Sequence, residues 1–200
     1  VNISGRQLEE ATFIAEVAAA LRDTGLPPAD LLLEVRECVL VSDPTLTLRR
    51  LTTLKALGIR IAIDDFGTGY SSLSFLQQFP VDVLKIDKSF IDDAMHGTVV
   101  PALARTMVSL GKTLSLQTVA EGIEHRQQAD LLCAMGCGFA QGFYFSRPLQ
   151  PAGVDTLIRQ SPFMASTGSI GAVSLGNSGA VKVYPDPSGA PVDGGHERVA

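Results

Sequence analysis

The 200-residue sequence contains no apolar run near the ~20 residues that a membrane span requires, and no basic stretch followed by an apolar core at its start. Neither a spanning helix nor a secretory leader is expected, and the expected compartment is the cytoplasm. Basic residues number 16 against 21 acidic ones and form no cluster. That excludes a nucleic-acid backbone as the main partner, because phosphate-tracking surfaces need grouped Lys and Arg. A small phosphorylated ligand stays open, since bound cations can offset the acids. The cysteines are three, Cys38, Cys133 and Cys137, and no His or Cys near the last two completes a zinc set. They read as small buried thiols in a reducing compartment. The three histidines, His96 and His125 near helix starts and His196 close to the end, form no readable Ser/His/Asp or Cys/His arrangement.

What is present is a globular core. Hydrophobic residues make up 46% of the chain, enough for one domain. The runs LLLEV (31–35), IAIDD (61–65), VDVLKID (81–87), LSLQTVAE (114–121) and GFAQGFYF (138–145) are almost continuously apolar. That pattern predicts strands buried on both faces, as in a parallel sheet. Amphipathic stretches at 8–23, 44–57, 98–110 and 126–135 separate them, and Gly25, Gly58, Gly111 and Gly136 stand where helices should stop. The order is βαβα, an α/β fold with crossover helices. VNIS (1–4) reads as the end of a further strand, making about six, whereas a closed parallel barrel needs eight and ~250 residues. The sheet is therefore open, or its beginning is missing. From about residue 161 the composition turns to Gly, Ser, Pro and Val without helical period. The division expected is a domain at 1–160 and a flexible tail at 161–200, with one short strand near 180–184.

Polar residues collect at the C-terminal ends of the strands: Asn2, Glu34, Asp64 with Asp65, Lys85 with Asp87, Glu121 and Gln141. In parallel α/β architectures the βα loops converge there and carry the chemistry. A single acid at such a place often just caps the next helix, but capping does not explain the whole succession. Carboxylates with an amide oxygen form a hard ligand set suited to Mg²⁺ or Mn²⁺, with Ca²⁺ as a further alternative. Asp64 and Asp65 could serve two metals, an arrangement that favours displacement at phosphorus. Lys85 would orient the attacking water or steady the phosphoryl charge. GTGYSS (67–72) departs from a nucleotide-phosphate loop at Ser72, while Gly67 and Gly69 around Thr68 permit a tight, mobile loop. Glu37 either hydrogen-bonds that loop or is an exposed charge at a helix start.

Taken together, VNIS, LLLEVRE, IDDFGTGYSSL, LKIDKSFI, TVAEGIE and QGFYFSRPL resemble the EAL-domain family of cyclic di-GMP phosphodiesterases, over about residues 1–150. The resemblance implies a TIM-like barrel and hydrolysis of one phosphodiester of cyclic di-GMP to linear pGpG with Mg²⁺ or Mn²⁺. It implies Asn2, Glu34 and Asp64 as metal ligands, and Asp65 on the second metal or its water. Lys85 would contact the attacking water. Glu121 would be a metal-site acid or the base, supported by Glu124. Glu37 would anchor the loop 67–72, Gln141 would help close the site, and Arg147 and Pro148 would end the barrel. Two departures stand out. The signature Glu-Ala-Leu strand does not precede VNIS, so the barrel is expected to be N-terminally incomplete. Arg36 and Cys38 stand where the family has Thr and Ser, and Arg36 brings a cation close to the metal edge, where it either weakens the site or merely points outward. The alternative function is a catalytically inactive module binding cyclic di-GMP or a protein. The resemblance also implies a homodimer, with 70–78 as its surface, and an upstream sensory or cyclase domain.

Overall fold

The computed structural model describes residues 1–67, 76–91, 100–160, 174–175 and 181–183. Thr68, Gly69, His96, His196 and most of the 70–78 surface lie outside them. Six strands pair in parallel in chain order: β1 (Asn2–Ile3), β2 (Leu32–Arg36), β3 (Arg60–Phe66), β4 (Val83–Ile86), β5 (Gln117–Ala120) and β6 (Phe139–Gln141). Each is short and apolar, and consecutive parallel strands need a crossover between them. The crossovers include α1 (Gly5–Glu9), α2 (Phe13–Thr24), α3 (Glu37–Ser42), α4 (Pro44–Ala56), α5 (Val100–Thr113) and α6 (Arg126–Met135); α7 (Pro151–Gln160) follows the sheet.

The main core lies between sheet and helices. Ile61, Ile63 and Leu84 of the sheet and Leu51 and Leu54 of α4 are each 0% exposed. Burying a side chain of this size contributes roughly 1.5–3 kcal/mol. At the opposite end from the candidate site, Asp82 accepts from the Ile61 backbone N–H at 2.8 Å and from Lys55 Nζ at 2.6 and 2.8 Å. This ties α4 to the foot of β3.

Several sequence expectations need correction. The helix expected over 8–23 is two helices, because Glu10 takes an extended backbone between them. Gly111 does not stop a helix but lies inside α5, where a Cβ would come within 2.2 Å of Thr118 Cγ2; it is there for close helix–strand packing. Of the thiols only Cys137 is buried, while Cys38 and Cys133 are exposed on helices. The helix α7 is absent from the sequence expectations, and α3 begins at Glu37, where one of the two readings had a helix start. The strand expected at 180–184 exists as β8 (Val181–Val183), joined by β7 (Ser174–Leu175). Both run antiparallel, with β8 on β6 in the register Ala140 to Val183 and Gln141 to Lys182.

Candidate metal and phosphoryl site

Alternation along each strand builds the site. Successive side chains point to opposite faces, so every second residue shares one. Ala62, Val83 and Val119 form an apolar floor on one face, 0–3% exposed, with Leu32 and Phe139 packed against them. Two residues further along the same strands, on the same face, come Glu34, Asp64, Lys85, Glu121 and Gln141. The register Asn2 to Glu34 to Ala62 adds Asn2 beside them. These six line an open cleft of about 330 Å³, together with Lys88, Gly122, Glu124, Gly142 and Phe143.

Simple alternation would send Asp65 to the face opposite Asp64. The structure avoids this with a bulge. Ile63 faces Leu84 but Phe66 faces Ile86, so β3 carries one extra residue there, and Asp65 takes φ +55°. A bulge re-aims side chains, and Asp tolerates the left-handed region better than most residues. The result is that carboxylate oxygens of Asp64, Asp65 and Glu121 all lie within 4.8 Å of one another.

Lys85 sits at the centre of the acids and is 4% exposed. Its Nζ is 2.7 Å from Glu34 Oε2, 2.8 Å from Asp64 Oδ1 and 2.6 Å from Glu121 Oε1. Burial pulls its ammonium down, but the carboxylates of Glu121, Glu34 and Asp64 outweigh this and hold it well above the usual lysine range. Three carboxylates and one ammonium leave two negative charges, the complement of one divalent cation. Asp64 Oδ1 is buried, with the Lys85 ammonium 2.8 Å away. A hard oxygen set with surplus negative charge fits a divalent cation.

Glu121 is also shifted upward, which for a carboxyl favours the neutral form. Burial raises its carboxyl above the ordinary 4.5, more than Lys85 lowers it. The folded state thus keeps this proton to higher pH than the unfolded chain, and stability falls as pH climbs from 4.5 through the raised value. In metal-free protein, Glu121→Gln should remove that downward slope. Urea unfolding across this range checks it, and equal slopes in both proteins would refute it.

The remaining expected site residues separate into groups. Glu37 lines no part of the cleft but is buried rather than exposed, and its Oε2 accepts from the Gly67 N–H at 2.8 Å. Glu124 lines the cleft and pairs with Lys88, whose hydrogen bond holds the Glu124 carboxyl below the usual range. Gln141 is buried at the cleft. Asp87 is outside the cleft lining, and its Oδ1 accepts from Ser89 N at 2.9 Å and Ser89 Oγ at 2.6 Å, so its position is that of a cap. Arg36 reaches across from β2, with Nε 2.9 Å from Asp65 Oδ2. Lys88 and Phe143 were missed by sequence reasoning. The second lysine of LKIDKSFI, three residues after Lys85, was the available signal for Lys88. Phe143 is 51% exposed at the rim, with the Arg147 guanidinium 5.0 Å from its ring centre.

Comparison with known proteins identifies the family. The EAL domain family model matches residues 1–148. The signaling protein YkoW of Bacillus subtilis is 43% identical over 162 residues, which are 81% of this chain and 20% of that protein. Among solved structures, the PaMucR phosphodiesterase in complex with c-di-GMP superposes with a TM-score of 0.74 at 41% identity, over 77% of this chain and 62% of that one. The manganese/cy-diGMP complex of Klebsiella pneumoniae BlrP1 gives 0.67 at 31% identity, over 73% and 38%. The chain spans about a fifth of the length of the curated relatives it matches. Its six parallel strands are the TIM-like barrel architecture of those structures, matched in part. The chain belongs to the EAL domain family.

Proposed function

We propose that this chain is the phosphodiesterase region of a signalling protein, hydrolysing cyclic di-GMP to linear pGpG. The observation that carries the reading is the buried Lys85 held among Glu34, Asp64 and Glu121 beneath an open cleft. Asn2, Glu34, Asp64, Asp65 and Glu121 are the residues that would hold Mg²⁺ or Mn²⁺. Bound divalent cations would supply charge neutralisation at a phosphodiester and a water of lowered pKa.

The chain's own groups do the rest. Lys85 is permanently cationic and faces the same carboxylates, so it orients the attacking water and steadies charge developing on phosphorus. Glu121, with its raised carboxyl, is suited to take a proton from that water. Glu37 holds Gly67, from which the loop 67–72 sets out. Gln141 closes the site from β6, and Glu124 with Lys88 borders the ligand cleft. A cytoplasmic setting, a homodimer through 70–78 and an upstream sensory or cyclase domain complete the proposal. Among the described residues no helix is long and apolar enough to cross a membrane.

The test is hydrolysis of cyclic di-GMP with Mn²⁺ and with Mg²⁺, reading pGpG. Turnover is expected with cation, none after chelation, and a drop of at least about 10²-fold in Asp64→Ala. Ligand binding without turnover would favour the inactive module instead. Turnover indifferent to chelation or to Asp64 would overturn the proposed site.

A further inference from the structure

The acidic edge carries one cation that the cleft lining does not include. Arg36, the last residue of β2, is 67% exposed along its side chain, yet its Nε donates to Asp65 Oδ2 at 2.9 Å. Asp65 is one of the three acids whose oxygens converge within 4.8 Å. The neighbouring residue acts on the same turn, for Glu37 Oε2 accepts from the Gly67 N–H at 2.8 Å. Consecutive residues at the junction of β2 and α3 thus hold Asp65 in the bulge and Gly67 just after β3.

We infer that Arg36 is a positioning residue that restrains divalent-cation binding, by engaging Asp65 and cancelling its charge at the acidic edge. The inference rests on the metal-dependent reading of this site. Two consequences are separable. Within the cluster, Glu34, Asp64, Glu121 and Lys85 leave two negative charges, matched to one divalent ion. Asp65 would add a third charge and so favour a second ion, but Arg36 offsets it. A cation approaching Asp65 therefore competes with the guanidinium for Oδ2 and meets its repulsion at either oxygen. Because Arg36 is exposed, its hold on Asp65 is weak enough to be displaced. It sets the cation concentration at which Asp65 joins the site, without closing the site.

A purely structural role predicts the opposite sign. If Arg36 only held Asp65 in its left-handed turn, removing it would loosen Asp65 and weaken cation binding. Mn²⁺ binding to the full chain, followed by calorimetry and by Mn²⁺ electron paramagnetic resonance at fixed low salt, separates the two. Arg36→Ala and the polar but uncharged Arg36→Gln should each tighten the weaker Mn²⁺ equilibrium about tenfold, a shift of the size expected for one partly screened charge at this range. Arg36→Lys, which keeps the charge, should stay within about threefold of the native protein. The advantage of the neutral variants should shrink at high salt. Unchanged or weaker Mn²⁺ binding in both neutral variants overturns the inference while leaving the site intact. Mn²⁺ binding unaffected by Asp64→Ala removes the site itself, and the inference with it.

Discussion

Lys85→Met should lose about 3–5 kcal/mol of stability at neutral pH, the usual consequence of removing one partner of a buried charge cluster. In a chain of this size that lowers Tm by about 10 °C. Methionine nearly matches the volume of the lysine stem, so a cavity is not the cause. The cause is that Glu34, Asp64 and Glu121 lose the ammonium now 2.6–2.8 Å from each of them. The deficit should shrink as pH falls, because protonation discharges the carboxylates, and Glu121 already holds its proton above the usual range. Added Mn²⁺ should raise the Tm of the variant by more than that of the native protein, since a bound cation replaces the missing charge. On the proposed reaction, turnover should fall by about 10²–10³-fold even with Mn²⁺ saturating, because the ion replaces Lys85 as a counter-charge but not as a donor. A variant with native Tm and a flat pH response would show that Lys85 does not balance this cluster.

Gly142→Ala should be nearly as damaging, for a steric reason. A Cβ at Gly142 would lie 2.1 Å from the Ile123 backbone O and 2.2 Å from its N. No side-chain rotation relieves a clash with backbone, so the two loops must separate by about an ångström or more. Two hydrogen bonds hold them together now: Ile123 N–H to Gln141 O at 3.0 Å and Tyr144 N–H to Ile123 O at 2.9 Å. Losing both and shifting the loops should cost about 3 kcal/mol or more. The same shift carries Glu121 and Gln141 apart, so Mn²⁺ binding should weaken in whatever fraction folds. Gly138→Ala, four residues earlier, meets nothing within 4 Å, and should be neutral or stabilising by up to about 1 kcal/mol. Thermal melts of the two variants side by side check the argument, and equal Tm values would refute it.

The strand centres were legible because fully buried parallel strands are apolar throughout, as with Ile61–Ile63 and Val83–Leu84. Their ends were less so. Leu114 reads as strand by composition, yet it precedes a left-handed Ser115 and a turn, and β5 begins at Gln117. Glu34, Asp64, Lys85 and Glu121 were legible as a set from position alone. That Lys85 pairs with three of the others was not, because it depends on register between strands far apart in sequence. The paired aspartates were the plainest signal and the most misleading in detail. Adjacent residues on a strand face opposite ways, and only the extra residue opposite Leu84–Ile86 brings Asp64 and Asp65 together. Asp87 shows the converse, since its place at a strand end looks like a site position and its carboxylate serves Ser89.

The strand order has a kinetic consequence. Each parallel strand pairs with its neighbour in sequence, from β1 to β6, so pairing can propagate along the chain one crossover at a time, each step closing a loop of modest length. The cleft, however, draws a residue from every one of these strands or from its end, from Asn2 to Gln141. Intermediates stopped short of β6 therefore hold their acids without the wall that Gln141 and Gly142 supply. The acquisition of high cation affinity during refolding should then trail the recovery of secondary structure, and mark the docking of the last parallel strand.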